Sequence, residues 1–170
     1  MFKYKIIRSV IQKKECNKII EKIDACIKMQ SLSLSKRDKK IYLYELMNPF
    51  IYDPYFFNLF KYKKVNKLCH EVLGANHYLN AFAALKKIPV TGKLRSDRYH
   101  IDGKYELKSV KVNLQLNVLF SLTKSNKYNG TTAIKDNNRT KYLDLKPGDC
   151  LIFNSFIEHK GTPNISNISR

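Results

Sequence analysis

Three side chains in the second half of the sequence have the types and spacing of ligands for a redox metal. His100 and Asp102 stand two positions apart in the segment Arg-Tyr-His-Ile-Asp-Gly, and His159 follows 57 residues after Asp102. Two imidazoles and one carboxylate can hold Fe(II) on one face of its octahedron, which leaves three adjacent positions for a chelating co-substrate and dioxygen. The chemistry that these residues suggest is oxidation at an iron centre.

Strands are the elements that must position these side chains. Alternate residues of a strand point to the same face, so His100 and Asp102 would project together while Ile101 faces the other way. His159 comes directly after the apolar run from Cys150 to Phe156, which predicts a neighbouring strand. A lone His-x-Asp pair is a weak motif that also arises by chance. The hypothesis therefore depends on His159 and on the segment that follows it.

The first 75 residues have the periodicity of helices. An amphipathic helix is predicted from Gln12 to Lys28, and a second from about Pro54 to Leu73 with Gly74 as its C-terminal stop. The apolar stripes of the two helices comprise Cys16, Ile19, Ile20, Ile23 and Ile27, then Phe57, Phe60, Val65, Leu68 and Val72. These helices are expected to pack against the rest of one domain.

After Gly74 the periodicity changes to that of strands. Strands are predicted at Tyr78–Leu85 and Val112–Phe120, and turns at Asn129-Gly130 and at Pro147-Gly148-Asp149. Helices followed by many short strands predict a mainly β fold with N-terminal helices, a helix-buttressed sandwich or jelly roll. We expect a single domain over residues 1–170, with a helical buttress over about 1–75 and a jelly-roll core over about 76–170.

The last quarter of the sequence closely resembles the C-terminal signature of the phytanoyl-CoA dioxygenase family. The signature runs Lys-x-Gly-Asp, an apolar strand, His, Pro-Asn-x-Ser and Arg, and it matches Lys146 through Arg170. The family's aromatic-His-x-Asp box is similar to Tyr99–Asp102, its Asn-Gly turn to Asn129-Gly130, and its Leu-Gly helix end to Leu73-Gly74. The resemblance extends over most of the chain, and its specific part is the final segment.

This resemblance implies an Fe(II)- and 2-oxoglutarate-dependent dioxygenase on a cupin-like double-stranded β-helix. His100, Asp102 and His159 would be the metal ligands and catalytic residues, and Arg170, eleven residues after His159, would bind the distal carboxylate of 2-oxoglutarate. The implied reaction consumes dioxygen and converts 2-oxoglutarate to succinate and carbon dioxide while a substrate C–H bond is hydroxylated, with ascorbate as a reductant. Halogenases of this fold replace the carboxylate ligand by a small residue, so Asp102 favours hydroxylation.

Further candidates come from position relative to the family pattern. Asn80 and Lys86 lie where relatives place cofactor or substrate contacts, and edge polarity or solvent exposure is the alternative for both. Ser166, like Thr162, could add a hydroxyl to the 2-oxoglutarate site. Tyr99 and Tyr105 flank the iron box and are candidate pocket residues, although aromatic residues at strand ends often only pack.

The chain departs from the family pattern in two places. The family's Pro-Gly-Ser-His element after the Asn-Gly turn is replaced here by the short segment 131–139, which implies an open or differently closed substrate mouth. Relatives continue beyond the Arg, which leaves open that these 170 residues are C-terminally truncated.

The net charge of +18 raises nucleic acid as a partner, but its composition weakens that interpretation. The basic residues are 26 Lys against 6 Arg, a bias that an AT-rich genome produces, whereas bidentate phosphate recognition favours Arg. The main hypothesis is an enzyme acting on an unidentified small molecule. The alternatives are a nucleic-acid-binding protein, a nucleic-acid demethylase of the same fold, and a catalytically silent family member.

Other features of the sequence exclude competing classes. No signal-peptide pattern and no apolar run of about 18 residues occurs, and the four cysteines lack C-x-x-C spacing, so we expect a cytoplasmic protein with reduced thiols. The segment from His70 begins like a zinc-protease helix, but the next histidine is His77 rather than a residue four positions on. Walker, dinucleotide-binding and nucleophile-elbow motifs are absent, and the sequence does not indicate an oligomeric state.

Overall fold

A computed structural model describes residues 2–33, 43–90, 98–102, 115–137 and 139–170. Within these ranges the protein is mostly β-sheet with a few helices. The strands are β1 Tyr4–Ile7, β2 Leu43–Met47, β3 Ala83–Lys87, β4 Leu116–Phe120, β5 Thr132–Asp136, β6 Arg139–Leu143, β7 Cys150–Asn154 and β8 His159–Gly161. The α-helices are α1 Lys13–Ser33 and α2 Lys63–Leu73, and 3-10 helices span Pro49–Ile51 and Pro54–Lys61.

Two three-stranded antiparallel sheets face each other. One has the order β1-β7-β4 and the other the order β6-β5-β8. Side chains of both sheets form one buried cluster, in which Leu151 and Phe153 of β7 meet Ile134 of β5 and Leu143 of β6. The remaining strands, β2 and β3, pair with each other as an antiparallel two-stranded sheet.

The central strand β7 is buried on both faces because each face has its own cover. Cys150 and Ile152 contact Val65 and Leu68 of α2, while Leu151 and Phe153 enter the core between the sheets. The same alternation holds in β4, where Leu119 faces the inter-sheet core and Val118 faces helix α2. Helix α2 therefore buttresses the outer face of the first sheet.

Helix α1 packs through the apolar stripe that the sequence predicts. It begins at Lys13, one residue after the predicted start at Gln12. Its buried residues form a cluster with Leu46 of β2 and with the 3-10 segment; the cluster includes Ile11, Cys16, Ile19, Ile23, Cys26, Leu46, Phe56 and Leu59. The helix extends to Ser33, beyond the predicted end at Lys28. No helix in the described ranges is long and apolar enough to cross a membrane.

The second predicted helix is interrupted. Residues Pro54–Lys61 form a 3-10 helix. Asp53 is its N-cap, and the Asp53 side chain accepts a hydrogen bond from the backbone N–H of Tyr55 at 2.8 Å. The backbone at Tyr62 is extended, and the α-helix begins only at Lys63. A register change follows, so Phe57 from the predicted stripe is 54% exposed.

One predicted strand needs correction, and one observed strand was not predicted. The predicted strand Tyr78–Leu85 is wrong over its first half, because pairing with β2 covers only Ala83–Lys87 and Tyr78 is 84% exposed. Strand β1 was not predicted at all, and it pairs with residues of β7 that lie 143 or more positions away in the chain, as in Tyr4 with Phe153. In the predicted strand Val112–Phe120, residues 112–114 lie outside the described residues.

The predicted turn at Pro147-Gly148-Asp149 is present, with turn residues at 147–148, whereas the first turn lies at 127–128, directly before the predicted Asn129-Gly130 pair. Gly130 and Gly148 have φ angles of +88° and +86°, a region that favours glycine. The short segment after the first turn forms the β5–β6 hairpin, in which Asp136 pairs with Arg139. The departure from the family pattern is therefore a tight hairpin in the second sheet.

Candidate metal centre

His100 and His159 are brought together by main-chain pairing. Each residue donates its backbone N–H to the carbonyl oxygen of the other at 2.9 Å, so the two form an antiparallel bridge. His159 begins β8 and also pairs with Ile134 of β5. The short segment at His100 thus continues the second sheet beyond β8, and residues directly opposite each other project to the same face. The imidazole rings lie 4.4 Å apart between centroids.

Asp102 completes a group of three candidate ligands. Its backbone N–H donates to the carbonyl oxygen of Ser155 at 3.1 Å, which anchors the turn to the end of β7. Its Oδ1 lies 3.3 Å from His100 Nε2 and its Oδ2 lies 3.4 Å from His159 Nε2. The candidate ligand atoms all lie within 4.8 Å of one another. His100 and Asp102 project to one side, as the two-residue periodicity predicts.

Both imidazoles are oriented by the main chain. Nδ1 of His100 lies 3.1 Å from the carbonyl oxygen of Arg98, and Nδ1 of His159 lies 2.9 Å from that of Ile157. A carbonyl oxygen only accepts, so each neutral ring must carry its proton on Nδ1. The lone pairs of both Nε2 atoms then face the Asp102 carboxylate. Three electron-rich atoms that converge in this way could hold a metal ion between them, and this orientation by a second hydrogen bond is typical of metal-binding histidines.

The two histidines differ in burial. His159 is 7% exposed and its ring packs against Phe153 at 4.8 Å between centroids, whereas the His100 side chain is about half exposed. Burial lowers the pKa of His159 below its ordinary value, although the Ile157 carbonyl and the Asp102 charge act in the opposite direction. His159 is therefore held in the neutral form that a metal ion needs.

Asn117 on β4 is a residue that sequence reasoning missed. Its Nδ2 donates to Asp102 Oδ2 at 2.8 Å. Asn117 is paired with Phe153 in the sheet register, so both side chains project from the same face towards the histidines. The available signal was its polar place in an alternating strand, but nothing local connects Asn117 with Asp102. The amide holds the orientation of the carboxylate, as outer-shell partners of metal ligands do.

Arg170 lies beside β3. It exchanges two backbone hydrogen bonds with Lys87, at 2.6 Å and 2.8 Å, so the two residues are directly opposite each other and their side chains share a face. The Nε atom of Arg170 is buried and has no hydrogen-bond partner among the described residues. Burial lowers the pKa of the guanidinium to about 10, and it still carries its charge at neutral pH. A buried cationic donor without a partner fits an anionic ligand.

Of the two neighbouring lysines on β3, the structure directs Lys87 rather than Lys86 to this region. Lys86 faces α1, where its Nζ lies 2.6 Å from Asp24 Oδ1. Lys87 Nζ donates to the carbonyl oxygen of Thr162 at 2.8 Å, between His159 and Arg170 in the chain. Gly130 permits this approach, because a Cβ there would lie 3.0 Å from Lys87 Cδ and 2.9 Å from the Thr162 oxygen. Lys86 and Lys87 are consecutive residues of one strand, so their side chains point to opposite faces of the sheet.

The Pro-Asn-x-Ser motif organises the backbone around Arg170. The buried amide of Asn164 donates to the carbonyl oxygens of Ile168 and Lys87, and its Oδ1 accepts from Ser166 Oγ at 2.7 Å. The hydroxyl of Thr162 bonds the backbone of Thr131. The hydroxyls of Ser166 and Thr162 are thus engaged with the protein itself, and both residues hold the chain in position.

Other sequence candidates are not gathered at this site. Asn80 is exposed in an irregular segment before β3. Tyr99 lies on the outer face of the second sheet, where its hydroxyl is 2.7 Å from Thr140 Oγ1 and the ammonium groups of Lys135 and Lys160 lie over its ring. The reason is that consecutive residues of an extended chain point to opposite faces, so Tyr99 projects away from the side of its neighbour His100. Tyr105 lies outside the described residues.

Two imidazoles of the second sheet and the carboxylate of the turn after His100 define a candidate non-heme metal centre. Comparison with solved structures identifies the fold that carries it. No protein-family model and no curated protein matches this sequence. EvdO2 from Micromonospora carbonacea var. aurantiaca, complexed with 2-oxoglutarate, has a TM-score of 0.75 at 14% identity, over 99% of this chain and 83% of that one.

Two further structures are similar over 99% of this chain. HygX from Streptomyces hygroscopicus, with nickel and 2-oxoglutarate bound, has a TM-score of 0.75 at 10% identity and is covered over 80% of its length. SnoK, a non-heme alpha-ketoglutarate-dependent carbocyclase from nogalamycin biosynthesis, has a TM-score of 0.71 at 12% identity and is covered over 76%. At these identities the likeness is one of fold, and the chain has the fold of 2-oxoglutarate-dependent non-heme oxygenases.

Proposed function

We propose that the protein is an Fe(II)- and 2-oxoglutarate-dependent dioxygenase of the phytanoyl-CoA dioxygenase type, with a double-stranded β-helix, that hydroxylates a small organic substrate. The observation that carries the proposal is the convergence of His100, Asp102 and His159, whose ligand atoms lie within 4.8 Å of one another. Both Nδ1 atoms face carbonyl oxygens, which leaves both Nε2 lone pairs for a metal ion.

The ligand set suits an iron that must also bind its co-substrates. Two imidazoles and a carboxylate occupy three positions of an octahedron and leave three adjacent positions open. Bound Fe(II) would supply the site at which 2-oxoglutarate and dioxygen react, with succinate and carbon dioxide as products. Asn117 would keep Asp102 in place, because its hydrogen bond occupies Oδ2 and limits rotation of the carboxylate.

Arg170 and Lys87 are proposed to hold the far carboxylate of 2-oxoglutarate. Their side chains share one face because the residues are directly opposite each other, and the buried Nε of Arg170 has no partner in the described part of the chain. A guanidinium can bind a carboxylate through two parallel hydrogen bonds, each stronger than a neutral one. The similar structures EvdO2 and HygX contain 2-oxoglutarate, which supports a dicarboxylate as the ligand here.

Metal binding and co-substrate turnover test this proposal. We expect the wild-type chain to bind one Fe(II) and to form succinate from 2-oxoglutarate in the presence of dioxygen and ascorbate. The variant His159→Ala should lose Fe(II) binding, since two ligands cannot hold the ion tightly. His77→Ala is the matched control, because His77 is exposed and its Nδ1 lies 2.8 Å from the Gly74 carbonyl oxygen, near the end of α2.

Two outcomes would count against the proposal. Equal Fe(II) binding by the wild type and by His159→Ala would show that the three residues are not ligands. If the protein bound iron but formed no succinate, the proposed dioxygenase activity would be wrong and the catalytically silent alternative would remain.

A further inference from the structure

The two faces of the β2–β3 sheet have different surroundings. On one face Leu46, which is fully buried, and Ala84 pack against the cluster of α1. On the other face are Glu45, Met47, Ala83 and Leu85, and we call these four residues the inner face of β2–β3. Met47 and Leu85 are 48% and 47% exposed, and Glu45 is also exposed. Met47 and Leu85 therefore present apolar side chains to solvent on this face.

The inner face is continuous with the proposed 2-oxoglutarate site. Lys87 lies two residues after Leu85 and therefore on the same face, and its ammonium reaches the carbonyl oxygen of Thr162 at the edge of the second sheet. Arg170 is directly opposite Lys87 and shares this face as well. Leu85 lies about 7 Å along the strand from Lys87, and the Ala83 position about 13 Å. A small molecule on the inner face would thus lie beside the co-substrate.

Glu45 is an acidic residue with apolar neighbours on its sheet face. It is paired with Leu85 in the register, and Met47 is its neighbour on the same face. In the described part of the chain Glu45 has neither a hydrogen bond nor an ion pair. Most other carboxylates of the described residues lie within 4 Å of a basic side chain, among them Asp24, Asp53, Asp136, Asp149 and Glu158, whereas those of Glu21 and Asp144 do not.

An unpaired carboxylate with apolar neighbours suits a ligand that has both a cationic and an apolar part. The net charge of +18 repels cations at long range, so any preference for a cation at this surface must come from Glu45 itself.

We propose that the inner face of β2–β3 binds the substrate and that the substrate is a small amine with an apolar body. The inference rests on the proposed function, because it assigns the substrate of the same site. The apolar body packs on Met47 and Leu85, and the protonated amine pairs with Glu45. The C–H bond to be oxidised then belongs to the part of the molecule that extends towards the metal ligands.

Methyl NMR of the full chain tests this assignment. The sequence has three methionines, and Met47 and Met29 have nearly equal exposures of 48% and 53% on different elements. With [methyl-13C]methionine labelling, titration with n-hexylamine should shift the Met47 signal and leave Met29 unchanged. The affinity should fall from n-hexylamine to 1-hexanol and further to hexanoate, because only the amine complements the carboxylate.

Substitution of Glu45 separates the charge from the apolar surface. Glu45→Gln should reduce n-hexylamine affinity to that of 1-hexanol, about three- to tenfold, as expected for one partly exposed charge pair. Glu21→Gln removes the same charge from an exposed position on α1 and should leave the affinity unchanged. Equal shifts of Met47 and Met29, equal affinity for amine and alcohol, or no effect of Glu45→Gln would each overturn the proposal.

The titration is run with and without Zn(II) and 2-oxoglutarate, so its result does not depend on iron. If Fe(II) binds and Met47 does not respond, the oxygenase proposal stands and the amine surface is wrong. If Met47 responds as expected but Fe(II) binding does not depend on His159, the amine surface stands and its role as an oxygenase substrate site is wrong.

Discussion

Replacing Asn117 by alanine should weaken metal binding without unfolding the protein. The substitution removes one hydrogen bond, from Nδ2 to Asp102 Oδ2 at 2.8 Å, and leaves the three ligands in place. A hydrogen bond to a charged group contributes about 1.5 to 3 kcal/mol. Loss of an outer-shell partner typically costs about 10- to 100-fold in metal affinity. The Asp102 side chain is 35% exposed, so water can replace the amide, and we expect the lower end of this range.

The expected result is a decrease of about tenfold in Fe(II) affinity, which corresponds to about 1.4 kcal/mol. Anaerobic competition against a coloured chelator measures this difference directly. Asn66→Ala is the matched control, because its amide donates to the Phe60 carbonyl oxygen on the helical side of the molecule. Asp102→Ala should abolish tight binding. If Asn117→Ala stayed within about twofold of the wild type while Asp102→Ala lost the metal, the amide would have no role in orienting the carboxylate.

Three further predictions concern the turns, the pH dependence and the co-substrate. Gly148→Ala should destabilise the fold by more than about 2 kcal/mol in urea unfolding, because a Cβ would clash with the backbone oxygen of Ile11. Gly74→Ala has a similar φ but open space, so it should cost less. Burial lowers the pKa of His159 in the folded protein. As the pH falls below about 6.5, this histidine is therefore protonated more readily in the unfolded chain than in the folded one, which favours unfolding. The free energy of unfolding of the metal-free protein should therefore fall between pH 7.5 and pH 5.5, and His159→Asn should remove that part of the decrease. Lys87→Met should weaken 2-oxoglutarate binding about tenfold, as measured by calorimetry. The control Lys86→Met breaks an ion pair with α1 and should not change this affinity. Equal effects of the two substitutions would contradict the assignment of Lys87 to the 2-oxoglutarate site.

The Gly148-Asp149 pair shows how a sequence signature can be structural. Asp149 is buried and accepts hydrogen bonds from the backbone N–H groups of Ser9 and Lys146 at 3.0 and 2.8 Å and from Arg8 Nη1 at 2.5 Å. Burial alone would raise the pKa of this carboxyl, but the two backbone groups and the guanidinium outweigh it and lower the pKa. The pair therefore joins the N-terminal strand to the turn before β7, and it acts on the metal site only by positioning that strand.

Several elements could be predicted from the sequence because their signals are local. The stripe of α1, the glycine turns at Gly130 and Gly148, and the common direction of His100 and Asp102 all follow from the periodicity or the backbone preferences of neighbouring residues. The break at Tyr62 was not predictable in this way, because the apolar spacing on both sides of it also fits one continuous helix.

The sequence by itself determined which residue types could hold a metal and that two of them would share a face. Only the tertiary structure decided which residues are brought together. It pairs His100 with His159, places the amide of Asn117 on Asp102, and places Lys87 rather than Lys86 beside Arg170. The physical reason is that strand pairing and register depend on contacts between segments far apart in the chain, and a shift of one residue sends a side chain to the opposite face. Periodicity along one segment carries no information about that register.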